Sequence, residues 1–163
     1  MSQERPTSDN NAICVLKEIN VPRGTFFLLV DKDMNAVRGA YIDTVKKLCS
    51  ESPSDLTTFF NKVAARIDEV IHDKDCPANG CMVAFSDNPE YGPDYYCYLP
   101  KYDEAILVHE VVHAVSRFME HRGVEDEEFR AYATEFLFAE FKQSYNEAVA
   151  SITSTPNKKG KSK

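Results

Sequence analysis

The chain has 163 residues and a mass of 18.5 kDa, enough for one domain with a buried core. Its formal net charge is −7, so the chain as a whole repels phosphate and a nucleic-acid partner is not expected. No apolar run approaches the roughly 20 residues that span a bilayer, which argues against a membrane partner. Five cysteines without a paired pattern favour free thiols, and hence a cytoplasmic protein, over a disulfide framework.

Both ends of the chain are predicted to be disordered. Residues 1–11 are polar and charged and contain no apolar segment of the kind that a signal peptide requires. Residues 151–163 end in STPNKKGKSK, which carries four lysines and no apolar anchor, so we interpret it as a basic, solubilising tail. The predicted domain therefore covers residues 12–150.

The first predicted element is a buried strand over Gly24–Asp31, a short apolar run between turn residues. Two helices follow, over residues 35–50 and 54–72. In the second, Ser54 is a candidate N-cap and apolar residues recur at helical spacing. The first half of the domain is thus predicted to be a strand followed by two helices.

The second half begins with two predicted strands, residues 81–86 and 94–100, which we expect to pair antiparallel across the turn DNPEYGP. A helix should then run from an N-cap at Asp103 to a stop at Gly123, and a last helix should begin near Asp126. The order of elements predicts an α+β domain whose small antiparallel or mixed sheet packs on helices. The predicted buried stripe of the last helix consists of Phe129, Tyr132, Ala133, Phe136, Leu137, Phe141 and Tyr145.

The stretch ILVHEVVHAV, residues 106–115, carries the pattern His-Glu-x-x-His. Residues four apart share one face of a helix, so His109 and His113 can bind the same cation. Glu110 lies about 100° around the helix from His109, which places its carboxylate beside the metal. Catalytic zinc sites combine three protein ligands with a water whose pKa the metal lowers, and a neighbouring carboxylate takes its proton. We predict that His109 and His113 bind Zn²⁺ and that Glu110 is the catalytic base.

A third ligand is required, and several side chains are candidates. His121 would complete a three-histidine site, but its spacing from His113 does not match the usual pattern. The last helix offers Glu127, Glu128 and Glu135 instead. We choose Glu128, near the start of that helix, with Glu135 as the alternative because it lies nearer the level of His109.

The motif HEVVH, followed by a glutamate on the next helix, resembles the gluzincin class of zinc metallopeptidases within the zincin fold. The longer pattern ILVHEVVHAV…DEEFRAYATEFL resembles small zincin-like proteins of phages and prophages, and it covers residues from about 94 to 141. The resemblance implies that His109, His113 and Glu128 hold zinc and that Glu110 is the base. It also implies a peptide or protein substrate received along a sheet edge, and the host cytoplasm as location if the protein is phage-encoded.

Thermolysin-like members carry an aspartate one turn after the ligand glutamate, where this chain has Tyr132. We list Tyr132 as a candidate catalytic residue that would stabilise the oxyanion, with His121 and Arg130 as alternatives. The predicted function is a zinc-dependent peptidase or amide hydrolase. The alternative is a non-catalytic zincin-like protein that keeps the metal for stability or binds a peptide or protein partner. The sequence does not indicate an oligomeric state.

Overall fold

Strands and helices alternate in pairs along the chain in the computed structural model, which describes residues 11–73 and 79–154. Within those residues there are four strands and four helices. Their bounds are β1 Ile13–Asn20, β2 Arg23–Val30, α1 Met34–Val45, α2 Pro53–Ile71, β3 Cys81–Phe85, β4 Asp94–Leu99, α3 Glu104–Arg122 and α4 Glu127–Ser154. The predicted α+β class is confirmed. Each helix in this part of the chain is too short or too polar to cross a bilayer.

The strands form one mixed sheet in the order β1-β2-β4-β3. The two outer pairs are antiparallel, and the central pair, β2 with β4, is parallel. The predicted antiparallel pairing of β3 with β4 is confirmed, with Cys81 opposite Tyr98 and Phe85 opposite Asp94. Within the described residues, β3 has a neighbouring strand on one side only, so its other side is an edge of the sheet.

Two helical layers cover the two faces of the sheet. Helices α3 and α4 pack on one face, while α1 and α2 pack on the other. Side chains alternate between the faces along each strand, so Tyr95 and Cys97 of β4 point toward α3, whereas Tyr96 and Tyr98 point toward α1 and α2. Helix α3 is therefore held against the sheet by core packing along its whole length.

Helix α3, which carries the His-Glu-x-x-His motif, begins and ends as the sequence predicts. The Asp103 side chain accepts a hydrogen bond from the Ile106 backbone N–H at 3.1 Å, an N-cap. Gly123 ends the helix in the left-handed conformation, with φ of 64°, which a residue without Cβ adopts most easily. These ends fix which residues of α3 face the core.

Several predicted boundaries are corrected by the structure. Strand β1 was not predicted, although ICVLKEIN alternates between more and less buried residues. The N-cap of α2 is Ser52 rather than Ser54, because Pro53 occupies the first helical turn. Helix α4 continues to Ser154, beyond the predicted domain end at 150. The predicted disorder of residues 1–10 and 155–163 lies outside the described residues.

Candidate metal and active site

His109 and His113 lie one turn apart on the side of α3 that faces away from the core. Their Nε2 atoms are 3.1 Å apart, and their rings are nearly perpendicular. Leu107, Val111 and Ala114 bury the opposite side of the same helix. The sequence-based prediction that both imidazoles point the same way is therefore met by the structure.

The distance between these two Nε2 atoms suits a shared metal ion. Two nitrogens on one tetrahedral zinc, each about 2.0–2.1 Å from the metal, lie roughly 3.3–3.4 Å apart. Burial lowers the pKa of His113, and the charges of His109 and Arg117 lower it further. A lowered pKa keeps the imidazole neutral, which is the form that binds a metal.

Glu110 is 6% exposed and is the single buried charged side chain among the described residues. Burial raises the pKa of its carboxyl, and His109 opposes that rise. An ionisable group buried next to two histidines is costly for folding, which is typical of residues kept for a chemical role. A carboxylate with a raised pKa is also a stronger base at neutral pH.

Gly80, just before β3, lets the sheet edge approach Glu110 closely. A Cβ at Gly80 would lie 2.7 Å from the Ile106 Cγ2 and 3.6 Å from the Glu110 Cγ. The residue therefore has to lack a side chain for β3 and α3 to keep this separation. The histidines, Glu110 and the start of β3 form one depression of about 240 Å³.

This depression continues along β3 into a second one of about 220 Å³. The two share Val70 from α2, Met82 from β3 and Arg117 from α3. Farther along, Arg66 and His121 line the second depression on its two sides. We call this continuous surface the edge groove. It runs along β3 from Gly80 to Ala84. Arg66 and Val70 of α2 flank it on one side, and the α3 residues from His109 to His121 flank it on the other.

The glutamates predicted as third ligand lie on α4, and the structure separates them. Glu127 and Glu135 line a depression between α3 and α4 together with Val108 and Val112, the residues that precede the two histidines. Glu128 is exposed and does not line it. All three glutamates are exposed, so the lining of this depression is what distinguishes them. The placement favours Glu135 or Glu127 over Glu128.

Among residues 11–73 and 79–154, no three His, Cys, Asp or Glu side chains form a group that could hold a metal ion. The spacing of the two histidines fits a metal ion, but a third ligand would have to be brought to them by a change of side-chain conformation or of the position of α4. No protein-family model, curated protein or solved structure matches the chain.

The candidates for oxyanion stabilisation also lie in different places. Tyr132 is 67% exposed, stacks on Phe136 and lines a depression against the end of β1, so it is not brought to the histidines. Its predicted place in the buried stripe of α4 is therefore wrong. Arg130 lines the depression between α3 and α4. His121 alone of the three lines the edge groove.

His121 is held by a buried tyrosine. The Tyr95 hydroxyl lies 2.8 Å from Nδ1 of His121, and the two rings stack at 5.8 Å. Burial raises the pKa of Tyr95 to about 12, so its hydroxyl keeps the proton and can donate it in this hydrogen bond. A neutral imidazole that accepts at Nδ1 carries its own proton at Nε2, where it is a hydrogen-bond donor.

Sequence reasoning missed two arginines of the edge groove. Arg117 follows His113 by four residues and so continues the line of His109 and His113 on α3, a signal that was present in the spacing. Arg66 comes from α2, in a different part of the sequence. Only the tertiary fold, in which α2 and α3 both lie beside β3, brings Arg66 into the groove.

Proposed function

We propose that the protein is a zinc-dependent hydrolase of peptide or amide bonds, with a zincin-like fold. The observation that carries the proposal is the pair of Nε2 atoms of His109 and His113, 3.1 Å apart, with the buried carboxylate of Glu110 beside them. The position of this trio at one end of the edge groove supports a polymeric substrate. The resemblance of the motif helix and its successor to gluzincins points the same way.

Different residues would bind the metal, transfer the proton and donate a hydrogen bond during hydrolysis. His109, His113 and a glutamate of α4 would hold the zinc ion, which would supply Lewis acidity toward a water molecule and a carbonyl oxygen. Glu110, held by core packing of α3, takes the proton of the attacking water and later delivers it to the leaving nitrogen. His121 offers an N–H donor farther along the groove, positioned by Tyr95.

The edge of β3 provides the surface on which a substrate would lie. An extended peptide can add to an unpaired strand edge through main-chain hydrogen bonds, which bind without regard to side chains. Such a peptide would pass directly by Glu110, since Gly80 and Met82 share the depression with it. We infer an unfolded peptide or an exposed loop as substrate.

A second function is favoured by one observation. Within the described part of the chain, the two histidines do not form, with any third His, Cys, Asp or Glu, a group that could hold a metal ion. A protein of this kind would bind a metal weakly or not at all and would use the edge groove only to hold a peptide. This non-catalytic alternative predicts peptide binding without hydrolysis.

Metal content and cleavage distinguish the two functions. The purified chain and His113→Ala would be loaded with zinc, dialysed and assayed by elemental analysis, followed by mass spectrometry of a pool of synthetic peptides incubated with each. We expect about one zinc per chain and cleaved peptides for the natural sequence, and loss of both in the variant. Cleavage that survives in His113→Ala, or a natural chain without zinc, would refute the hydrolase.

The site also bears on where the protein works. Neutral histidines bind zinc best near or above neutral pH, and the cytoplasm provides this condition. The cysteines Cys14, Cys49 and Cys97 lie within or beside the packed domain, and burial raises the pKa of the Cys14 thiol to about 12, which makes it unreactive. We place the protein in the cytoplasm.

A further inference from the structure

The two arginines of the edge groove line the same depression beside β3. Arg66 belongs to α2, on one face of the sheet, and Arg117 belongs to α3, on the other face. Met82 and Ala84 of β3 point to the α3 side, while Val83 points to the α2 side. A strand added to this edge would likewise present successive side chains alternately to Arg117 and to Arg66.

Three basic side chains line the far end of the groove, although the chain as a whole is acidic. The chain carries a net charge of −7, yet the far end of the groove is lined by Arg66, Arg117 and His121 without an acidic residue in its lining. An acidic ligand would bind these guanidinium groups by displacing the glutamates that pair with them. Charge complementarity of this kind selects a partner and its register more than it adds affinity.

Each arginine already has a carboxylate neighbour on its own helix. Arg66 pairs with Glu69 at 2.8 Å and Arg117 with Glu120 at 3.1 Å, both three residues apart and both largely exposed. Exposed pairs of this spacing contribute little to the stability of a helix. A substrate carboxylate that offers two oxygens to a guanidinium can therefore replace the glutamate.

The distance along α3 between the histidines and Arg117 sets which residue of a bound peptide lies opposite the arginines. The midpoint between His109 and His113 lies six residues before Arg117, or about 9 Å along the helix at 1.5 Å per residue. An extended peptide advances about 3.3 Å per residue, so a side chain about two or three residues from the reacting bond lies opposite the arginines.

We propose that the edge groove selects extended peptides with neighbouring acidic side chains about two or three residues from the scissile bond, bound by Arg66 and Arg117. The proposal rests on the hydrolase function proposed above. One acidic side chain would contact Arg117 and the next would contact Arg66, on opposite sides of the added strand. His121 donates a further hydrogen bond on the Arg117 side.

Binding can be measured apart from cleavage with the Glu110→Gln protein, in zinc-containing buffer. The probes are two pools of fluorescein-labelled peptides of equal length, identical except that a central Asp-Asp pair is Asn-Asn in the second pool. The binding of each pool would be followed by fluorescence anisotropy. The proteins compared are Glu110→Gln and the triple variant that also carries Arg66→Gln and Arg117→Gln. The matched control combines Glu110→Gln with Arg23→Gln. This change also removes one positive charge, but at the β1–β2 turn, toward the opposite edge of the sheet from β3.

We expect the Asp-Asp pool to bind about tenfold more tightly than the Asn-Asn pool, and the added arginine changes to abolish that difference. Arg23→Gln should leave it intact. Equal binding of the two pools, or a preference that persists without both arginines, would overturn the proposal. So would failure of both pools to bind in a protein that sediments as a dimer, because a second copy would then occupy β3.

Cleavage of the same pools by the natural sequence separates this proposal from the hydrolase. Arginine-dependent binding of the Asp-Asp pool without cleavage would support the acidic subsite and refute the hydrolase. Cleavage of both pools at equal rates would support the hydrolase and refute the subsite. Circular dichroism of each variant checks folding, which these exposed substitutions should not disturb.

Discussion

Gly80 and Glu110 lie against each other, with 3.6 Å between a Cβ placed on Gly80 and the Glu110 Cγ. The same Cβ would be 2.7 Å from Ile106 and 3.1 Å from the Tyr98 carbonyl oxygen, so it meets atoms on two sides. This contact sets the distance between the edge strand and the motif helix. Substitutions at Gly80 therefore test whether that distance matters.

Gly80→Ala should lower the free energy of unfolding by about 1–3 kcal/mol, because α3 or β4 must shift to make room. Thermal denaturation followed by circular dichroism measures the change. Gly92→Ala is the matched control, since the atoms nearest its Cβ belong to the flexible end of Arg122 and can move away. If Gly80→Ala had the same melting temperature as the natural sequence, α3 would be able to move away from β3 without cost.

Glu110→Gln should keep the zinc ion and lose hydrolysis. The amide has the shape of the carboxylate but cannot accept the proton of the attacking water, and removal of a general base lowers rates by about 10²–10⁴-fold. Zinc content and the rate of peptide cleavage are measured on the same sample. Activity within a few-fold of the natural sequence would exclude Glu110 as the base.

The third ligand is tested by three single substitutions to glutamine, at Glu127, Glu128 and Glu135. We expect Glu135→Gln to weaken zinc binding most, by at least about tenfold, because Glu135 lines the depression beside Val108 and Val112. Glu128→Gln should bind zinc normally, since Glu128 does not line that depression. Competition with a fluorescent zinc chelator gives the affinities, and loss of zinc in Glu128→Gln would restore the sequence-based choice.

Asp94 predicts a pH-dependent effect on stability, away from the metal site. Burial raises the pKa of this carboxyl to about 6, despite the opposing charge of Arg23. The unfolded chain has a value near 3.9, so the folded state binds more protons between these values and loses stability as pH rises through them. Asp94→Asn removes that loss.

Denaturant unfolding at several pH values tests the Asp94 effect. At pH 7, Asp94→Asn should be more stable than the natural sequence by about 1–3 kcal/mol, and the difference should vanish below about pH 4. Asp43→Asn, at an exposed carboxyl, is the control and should show no such trend. A difference that stays constant with pH would mean that ionisation of Asp94 is not its cause.

Local pattern was sufficient to predict α3. The caps at Asp103 and Gly123, the apolar spacing and the paired histidines all depend on residues close in sequence, and the structure agrees with each. Strand β1 was missed because Lys17 and Glu18 interrupt its apolar residues, as suits a strand at the sheet edge. Local propensity alone does not distinguish such a strand from a loop.

The parts of the site that depend on tertiary packing could not be predicted in the same way. The direction of Tyr132 follows from how α4 is rotated against β1, and a shift of one residue in the assumed stripe turns it by about 100°. The meeting of Arg66 with Arg117 requires α2 and α3 to flank the same strand from opposite faces. Neither relationship can be predicted from the spacing of residues along a single helix.

The two edges of the sheet differ in how they resist aggregation. Strand β1 carries Lys17 and Glu18, and Lys17 forms an ion pair with Glu140 of α4, whereas β3 reads CMVAF and has no charge of its own. An uncharged edge is a template for the same edge of another molecule. Arg66 and Arg117 flank this edge, so in such a pairing the like charges of the two copies would repel each other.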